Sequence, residues 1–192
     1  FPRQVLEVLR QPLEDGQVHV ARAAGKITFP ARFIMVAAKN PCPCGYFGDD
    51  QKQCTCSAGQ IEGYNKKISG PLLDRIDLHI EVPRVEYQKL RSEAPSETSQ
   101  SIRERVSSAR AIQLERFGKT SSEMNTDELK THCSLNEEGE NLMEQAMNTY
   151  QLSPRSYTRI LKVARTIADL ENSPTIKPQH LAEAIRYKVV EG

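Results

Sequence analysis

The sequence predicts an α/β core fragment, with part of a parallel sheet and a projecting hairpin, followed by an all-α helical region. Three observations carry that expectation. "FIMVAA", residues 33–38, is a continuous apolar run, short and ending in polar residues, as in a strand covered on both faces. Just before it, "QVHVARAAGKITFPARF" alternates apolar and polar residues on two arms around a tip containing Gly25, a hairpin pattern. Past residue 90 the strand patterns stop and only helical periodicity remains.

Taken in order, residues 2–13 read as a helix with Pro2 near its start and Val5, Val8 and Leu9 as its apolar stripe. Asp15-Gly16 ends it with a turn signal. In the hairpin, Val18 and Val20 alternate on one arm and Ile27 and Phe29 on the other. The run at 33–38 then leads into a cysteine-rich loop and a short helix over 58–66. "LLDRIDLHIEV" supplies a further strand, with Ile76, Leu78 and Ile80 alternating. These elements form the first domain, residues 1–90.

The second domain, 91–192, opens with the polar linker "RSEAPSETSQ". Helices follow over 99–117, after Asn125, and over 136–150 with Leu142, Met143, Ala146, Met147 and Tyr150 on one face. Ser153 is an N-cap with Pro154 in the first turn of the next helix, whose stripe runs through Tyr157, Ile160, Leu161, Ala164, Ile167 and Ala168. The last helix starts at Pro178 and packs through Leu181, Ile185 and Val189.

Composition narrows the function classes. The 192 residues carry 38% hydrophobic and 27% charged residues and a net charge of +1, so any basic surface is local. No apolar run approaches the roughly 18 residues of a membrane span, so no membrane partner is expected. Five cysteines, an odd number and mostly clustered, fit a reducing cytoplasm better than a disulfide framework. The chain opens "FPRQVLEVL", without methionine and already in a helical pattern, as a piece of a longer protein would.

Three polar residues could carry chemistry, though Asn40 taken alone reads better as the start of an Asn-Pro loop. Asn40 ends the apolar run, and the carboxyl end of a buried strand is where open α/β sheets bind ligands. An amide there orients a water or a phosphate oxygen without adding charge. Arg75 precedes the second strand, where a surface ion pair is its plainest role. Arg155 sits in the first turn of a helix, where a cation opposes the macrodipole, a mild sign that an anion meets it.

The segments "FPRQVLEVLRQPLEDGQVHVARAAGKITFPARFIMVAAKNPCPCGYFGD", "KISGPLLDRIDLHIEV" and "LSPRSYTRILKVARTIADL" closely resemble the ComM group of magnesium-chelatase-like AAA+ ATPases, over essentially the whole chain. The resemblance implies an AAA+ core fragment with a presensor hairpin, followed by a helical lid. In that family the Walker A loop and acidic Walker B strand precede the part that matches, and no G-x-x-x-x-G-K-S/T occurs in the 192 residues. The fragment alone is therefore expected to be inactive. The full-length protein is expected to hydrolyse ATP with Mg²⁺, as a hexameric homo-oligomer acting on DNA as a helicase in competence. Two rivals remain: a motor remodelling a protein partner, like the magnesium chelatase ATPase subunit, and a non-catalytic lid and assembly module.

By the same resemblance Asn40 matches sensor 1, Arg75 the arginine finger that acts on a neighbouring subunit's nucleotide, and Arg155 the sensor 2 arginine of the lid. The hairpin resembles one that enters the central pore of related helicases. Arg22 and Lys26, near its tip, are the candidate DNA-binding residues, against the alternative of a solvated hairpin. For Arg32, at its base, the surface role is preferred.

Cys42, Cys44, Cys54 and Cys56 form two C-x-C pairs separated by nine residues. Four thiols in close pairs can supply the closed S4 set of structural zinc, and Gly45 eases the fold-back of the spacer. C-x-C is tighter than the usual C-x-x-C, so this is no standard finger or ribbon. Strained disulfides and a free-thiol loop are the alternatives to Zn²⁺. His79, His132 and Cys133 read as packing or surface residues.

Overall fold

The structure, a computed structural model, describes residues 1–23, 25–83 and 97–189. It forms two compact units, Phe1–Ile76 and Asp77–Gly192. Most of the expected linker, and the boundary drawn at residues 90 and 91, lie outside the described residues.

In the first unit the single helix expected over 2–13 is two helices, α1 (Arg3–Val8) and α2 (Arg10–Asp15). Pro12 has no N–H to donate to Val8, so a continuous ladder cannot form. Within the first turn of α2 the same proline costs nothing, because those positions lack intrahelical acceptors. Gly16 ends α2 in the left-handed region, φ +63°. It also lies under Arg32, whose Cγ would be only 3.0 Å from a Cβ at that position.

The hairpin forms as its alternation requires. β1 (Gln17–Arg22) pairs antiparallel with β2 (Gly25–Pro30), with Val18 opposite Phe29 and Val20 opposite Ile27. Those four apolar side chains therefore share one face. On the other face the His19 ring nitrogen Nδ1 and Thr28 Oγ1 are hydrogen-bonded at 2.8 Å.

Two expected strands are absent. Residues 33–38 form no strand, and Ile34 and Val36 are 93% and 91% exposed rather than covered. Residues 76–80 likewise form none, and Leu78 and Ile80 are exposed. A strand exists only through ladder bonds to a neighbour, and among the described residues the hairpin is the only sheet. Neither run has a partner strand among the described residues.

Helices close the first unit. α3 (Ala58–Asn65) starts at a reciprocal capping box between Ser57 and Gln60. α4 (Gly70–Leu73) is capped by Ser69, whose oxygen accepts the Leu72 N–H.

The second unit is helical as expected: α5 (Ser99–Phe117), a 3₁₀ turn (Ser121–Glu123), α6 (Thr126–His132), α7 (Glu137–Thr149), α8 (Pro154–Leu170) and α9 (Pro178–Lys188). The cap expected at Ser153 is formed, and Asn125 caps α6. The stripes of α7, α8 and α9 meet in one core around Met143, Ile160, Leu161, Ala164 and Leu181. Tyr150 departs from its expected place: α7 ends at Thr149, and the ring is 48% exposed. Cys133 packs in the core, where burial pushes its thiol up to about 11.

Candidate functional site

The cysteine loop comes together most clearly. A tight turn from Cys42 to Gly45, closed by the Gly45 N–H on the Cys42 carbonyl at 3.1 Å, folds the first pair back. Gly45 adopts φ +84°, which a glycine takes without strain. The sulfurs of Cys42 and Cys44 are 3.3 Å apart, and Cys54 Sγ lies 3.7 and 3.6 Å from them. All four sulfurs fall within 4.8 Å of one another. Tetrahedral thiolates at a Zn–S distance of about 2.3 Å stand about 3.8 Å apart, so the donor set and its spacing fit zinc.

The thiols differ in acidity. Backbone N–H groups of Tyr46 and Thr55 bond the Cys44 sulfur and hold it down at about 5. At Cys54 the Cys56 N–H, 3.4 Å away, pulls down, but burial and the thiols of Cys44 and Cys42 outweigh it and push it up to about 12. Burial likewise raises Cys56. Four thiolates this close repel one another, so all can be ionised together only around a cation.

Asn40 lies two residues before this loop and is exposed; its Nδ2 is 3.9 Å from where a Gly45 Cβ would be. Next to it, Lys39 Nζ donates to Asn65 Oδ1 of α3 at 2.7 Å. Asn40 and the cysteine loop are thus one local feature.

Arg75 sits on the turn that follows α4 rather than at the start of a strand. Its Nη1 donates to the Pro71 carbonyl at 2.7 Å, and its Nε is 3.1 Å from Glu14 Oε2 on α2. Nothing in the sequence marked Glu14: it looks like one more solvated carboxylate before a turn.

At the hairpin tip Arg22 is opposite Gly25, and Ala21 opposite Lys26. Strand alternation therefore puts Arg22 on the apolar face and Lys26 on the other, so they make two separate charges rather than one patch.

In the second unit, Arg155 is exposed in the first turn of α8. One turn on, Arg159 pairs with Asp77 through Nη1 and Oδ1. Lys162 follows on the same side and donates to the Ser122 carbonyl at 2.9 Å. Sequence reasoning missed both, although the spacing 155, 159, 162 places three cations along one helix face. His79 is held by its backbone, its N–H donating to the Tyr187 carbonyl at 2.6 Å.

The hairpin and cysteine loop of the first unit, and the helices of the second, each fall within a region that a known family matches. The magnesium chelatase subunit ChlI profile matches residues 1–90, and that of the ChlI C-terminal region matches residues 96–188. The chain belongs to the ComM/magnesium-chelatase-like family. It is 46% identical over 191 residues to the competence protein ComM of Haemophilus influenzae, covering 99% of this chain and 37% of that protein. To the uncharacterized protein YifB of Escherichia coli it is 40% identical over 192 residues, covering 100% of this chain and 38% of that one. The chain thus spans 37–38% of the length of these relatives. Among the described residues, no helix is long and apolar enough to cross a membrane.

Proposed function

We propose that this chain is part of an ATP-hydrolysing AAA+ motor that assembles as a hexameric ring in the cytoplasm and moves DNA, acting as a helicase in branch migration during natural transformation and recombination. The observation that carries the reading is the similarity to a competence protein along 99% of the chain, through both units.

The residues act as phosphoryl transfer requires, since that reaction is catalysed mainly by positioning and by charge around the transferring group. Asn40 orients the attacking water against the γ-phosphate. Arg75 enters a neighbouring subunit's site and stabilises transition-state charge. Arg155, exposed at the start of α8, closes over the phosphates. The groups that hold ATP and Mg²⁺ lie elsewhere in the full-length protein, so the 192 residues alone are inactive. There, too, strands flank residues 33–38 and 76–80 and cover the exposed Ile34, Val36 and Ile80.

Arg22 and Lys26 meet DNA phosphates from the hairpin tip, and hydrolysis moves that tip. Cys42, Cys44, Cys54 and Cys56 hold one Zn²⁺ in a structural role: four thiolates fill its coordination and leave no position for a catalytic water. The ion stiffens the loop beside Asn40.

A second reading, a magnesium-chelatase-type subunit that remodels a protein partner, draws on the magnesium chelatase profiles that match both halves. The test is the ATPase rate of the full-length protein titrated with single-stranded DNA. Stimulation supports the DNA motor; a rate indifferent to any DNA favours the protein-remodelling subunit.

A further inference from the structure

We propose that Glu14 is a positioning residue for Arg75, aiming the guanidinium at the phosphoryl-transfer site of a neighbouring subunit. This rests on the reading of Arg75 as a finger acting in trans.

Arg75 stands on the turn after a four-residue helix, too short a support to direct a long side chain by itself. Its side chain is nevertheless only 10% exposed. Two contacts hold it. Nη1 donates to the Pro71 carbonyl at 2.7 Å, one turn back, and Nε faces Glu14 Oε2 at 3.1 Å. The Nε–H is not aligned as a hydrogen bond on that carboxylate, so the contact is an ion pair that steers the group and leaves it free to adjust. Nε and Nη1 are the two nitrogens held in this way.

Glu14 is well supported for this task. It lies on α2, next to α1. Glu7 on α1 pairs with Arg10 on α2 at 2.9 Å, and Ser69 and then Arg10 hold its carboxyl below the usual range. The α1–α2 segment and the α4 turn are joined at Glu14–Arg75. An arginine side chain loses rotamer freedom when it engages a phosphate, and a carboxylate that has already restricted it lowers that cost in the transition state. Glu14 also offsets part of the charge of Arg75, which opposes catalysis. Because the carboxylate meets the guanidinium at Nε, the nitrogen nearest the stem, the positioning effect is the larger.

The test is steady-state ATPase kinetics of the full-length protein as wild type, Glu14→Gln, Glu14→Asp, Arg75→Ala and Glu14→Gln with Arg75→Ala, beside thermal unfolding of each. Glu14→Gln lowers kcat about tenfold while KM for ATP stays within about twofold, the pattern of an interaction made in the transition state. Glu14→Asp recovers part of the loss, and Glu14→Gln adds nothing once Arg75 is alanine. An unchanged or raised kcat in Glu14→Gln overturns the proposal. So does an equal loss in the Arg75→Ala background, or a loss that tracks a lowered unfolding temperature, since either marks a structural role. If Arg75→Ala keeps the wild-type kcat, the finger itself is disproved, and Glu14 has nothing to position.

Discussion

Arg165 and Asp169, one turn apart on α8, form an ion pair in which Nη2 lies 2.9 Å from Oδ1 and neither side chain is more than 1% exposed. Arg116 of α5 reaches the same Oδ1 at 2.5 Å. Arg165 also donates to the carbonyls of Ser173 and Pro174, at 2.6 and 3.1 Å. The network ties α5, α8 and the turn before α9 together. Removing one partner of a buried pair strands the other charge, so Asp169→Ala is expected to cost about 3–5 kcal/mol in urea unfolding of the chain. A loss below about 1 kcal/mol would mean that water reaches the two arginines.

That pair shows what the sequence did and did not disclose. The α8 stripe was legible because Ile160, Leu161, Ala164, Ile167 and Ala168 repeat at helical spacing. Arg165 and Asp169 lie in the same stripe, at Leu161 plus four and eight, but charged residues are discounted when apolar periodicity is counted. The helical unit was readable almost throughout, because its caps and stripes are local. The core fragment was readable in its hairpin, whose two arms are sequence neighbours, and in the short helix Ala58–Asn65. Residues 33–38 needed partner strands that no local pattern supplies. Of the candidate site, the cysteine cluster was legible from spacing. Glu14 was not, since it lies 61 positions before Arg75 in the chain.

Acid should weaken the helical unit in a defined window. Lys119, at 2.7 Å, and then the Asn125 N–H hold the Glu128 carboxyl below its ordinary 4.5. A depressed folded value contributes stability that is present above the unfolded value and lost as pH falls through the folded one. The thermal midpoint of the chain should therefore be flat above about pH 5 and decline below it, with a shallower decline in Glu128→Gln. Parallel curves for the two proteins would remove Glu128 from the account.

Because Arg22 and Lys26 face opposite sides of the hairpin, each should contribute its own phosphate contact. Replacing both by alanine in the full-length protein should lower the log–log salt slope of DNA binding by about two units, and each single change by about one. Basal ATPase should be spared. An unchanged slope would place DNA elsewhere on the ring.

Protein purified under reducing conditions should contain one zinc per chain, and Cys54→Ser with Cys56→Ser should contain none. The helical unit has a core of its own, so metal loss should raise hydrogen exchange over residues 41–57 without unfolding the chain, unlike a zinc finger. Wild-type protein with no stoichiometric metal and four freely titrating thiols in the loop would exclude the site.

The central claim is that Arg75 completes a neighbouring subunit's ATPase site. Full-length Arg75→Ala should retain nucleotide affinity and lose about a thousandfold or more of its hydrolysis rate, as removal of a transition-state arginine does. The decisive measurement is the ATPase activity of that variant mixed with a second one defective in its own acidic Walker B strand. The account predicts that the two inactive proteins recover activity on mixing, because some interfaces then join an intact site to an intact finger. No recovery at any ratio, in mixtures shown to co-assemble, would contradict it.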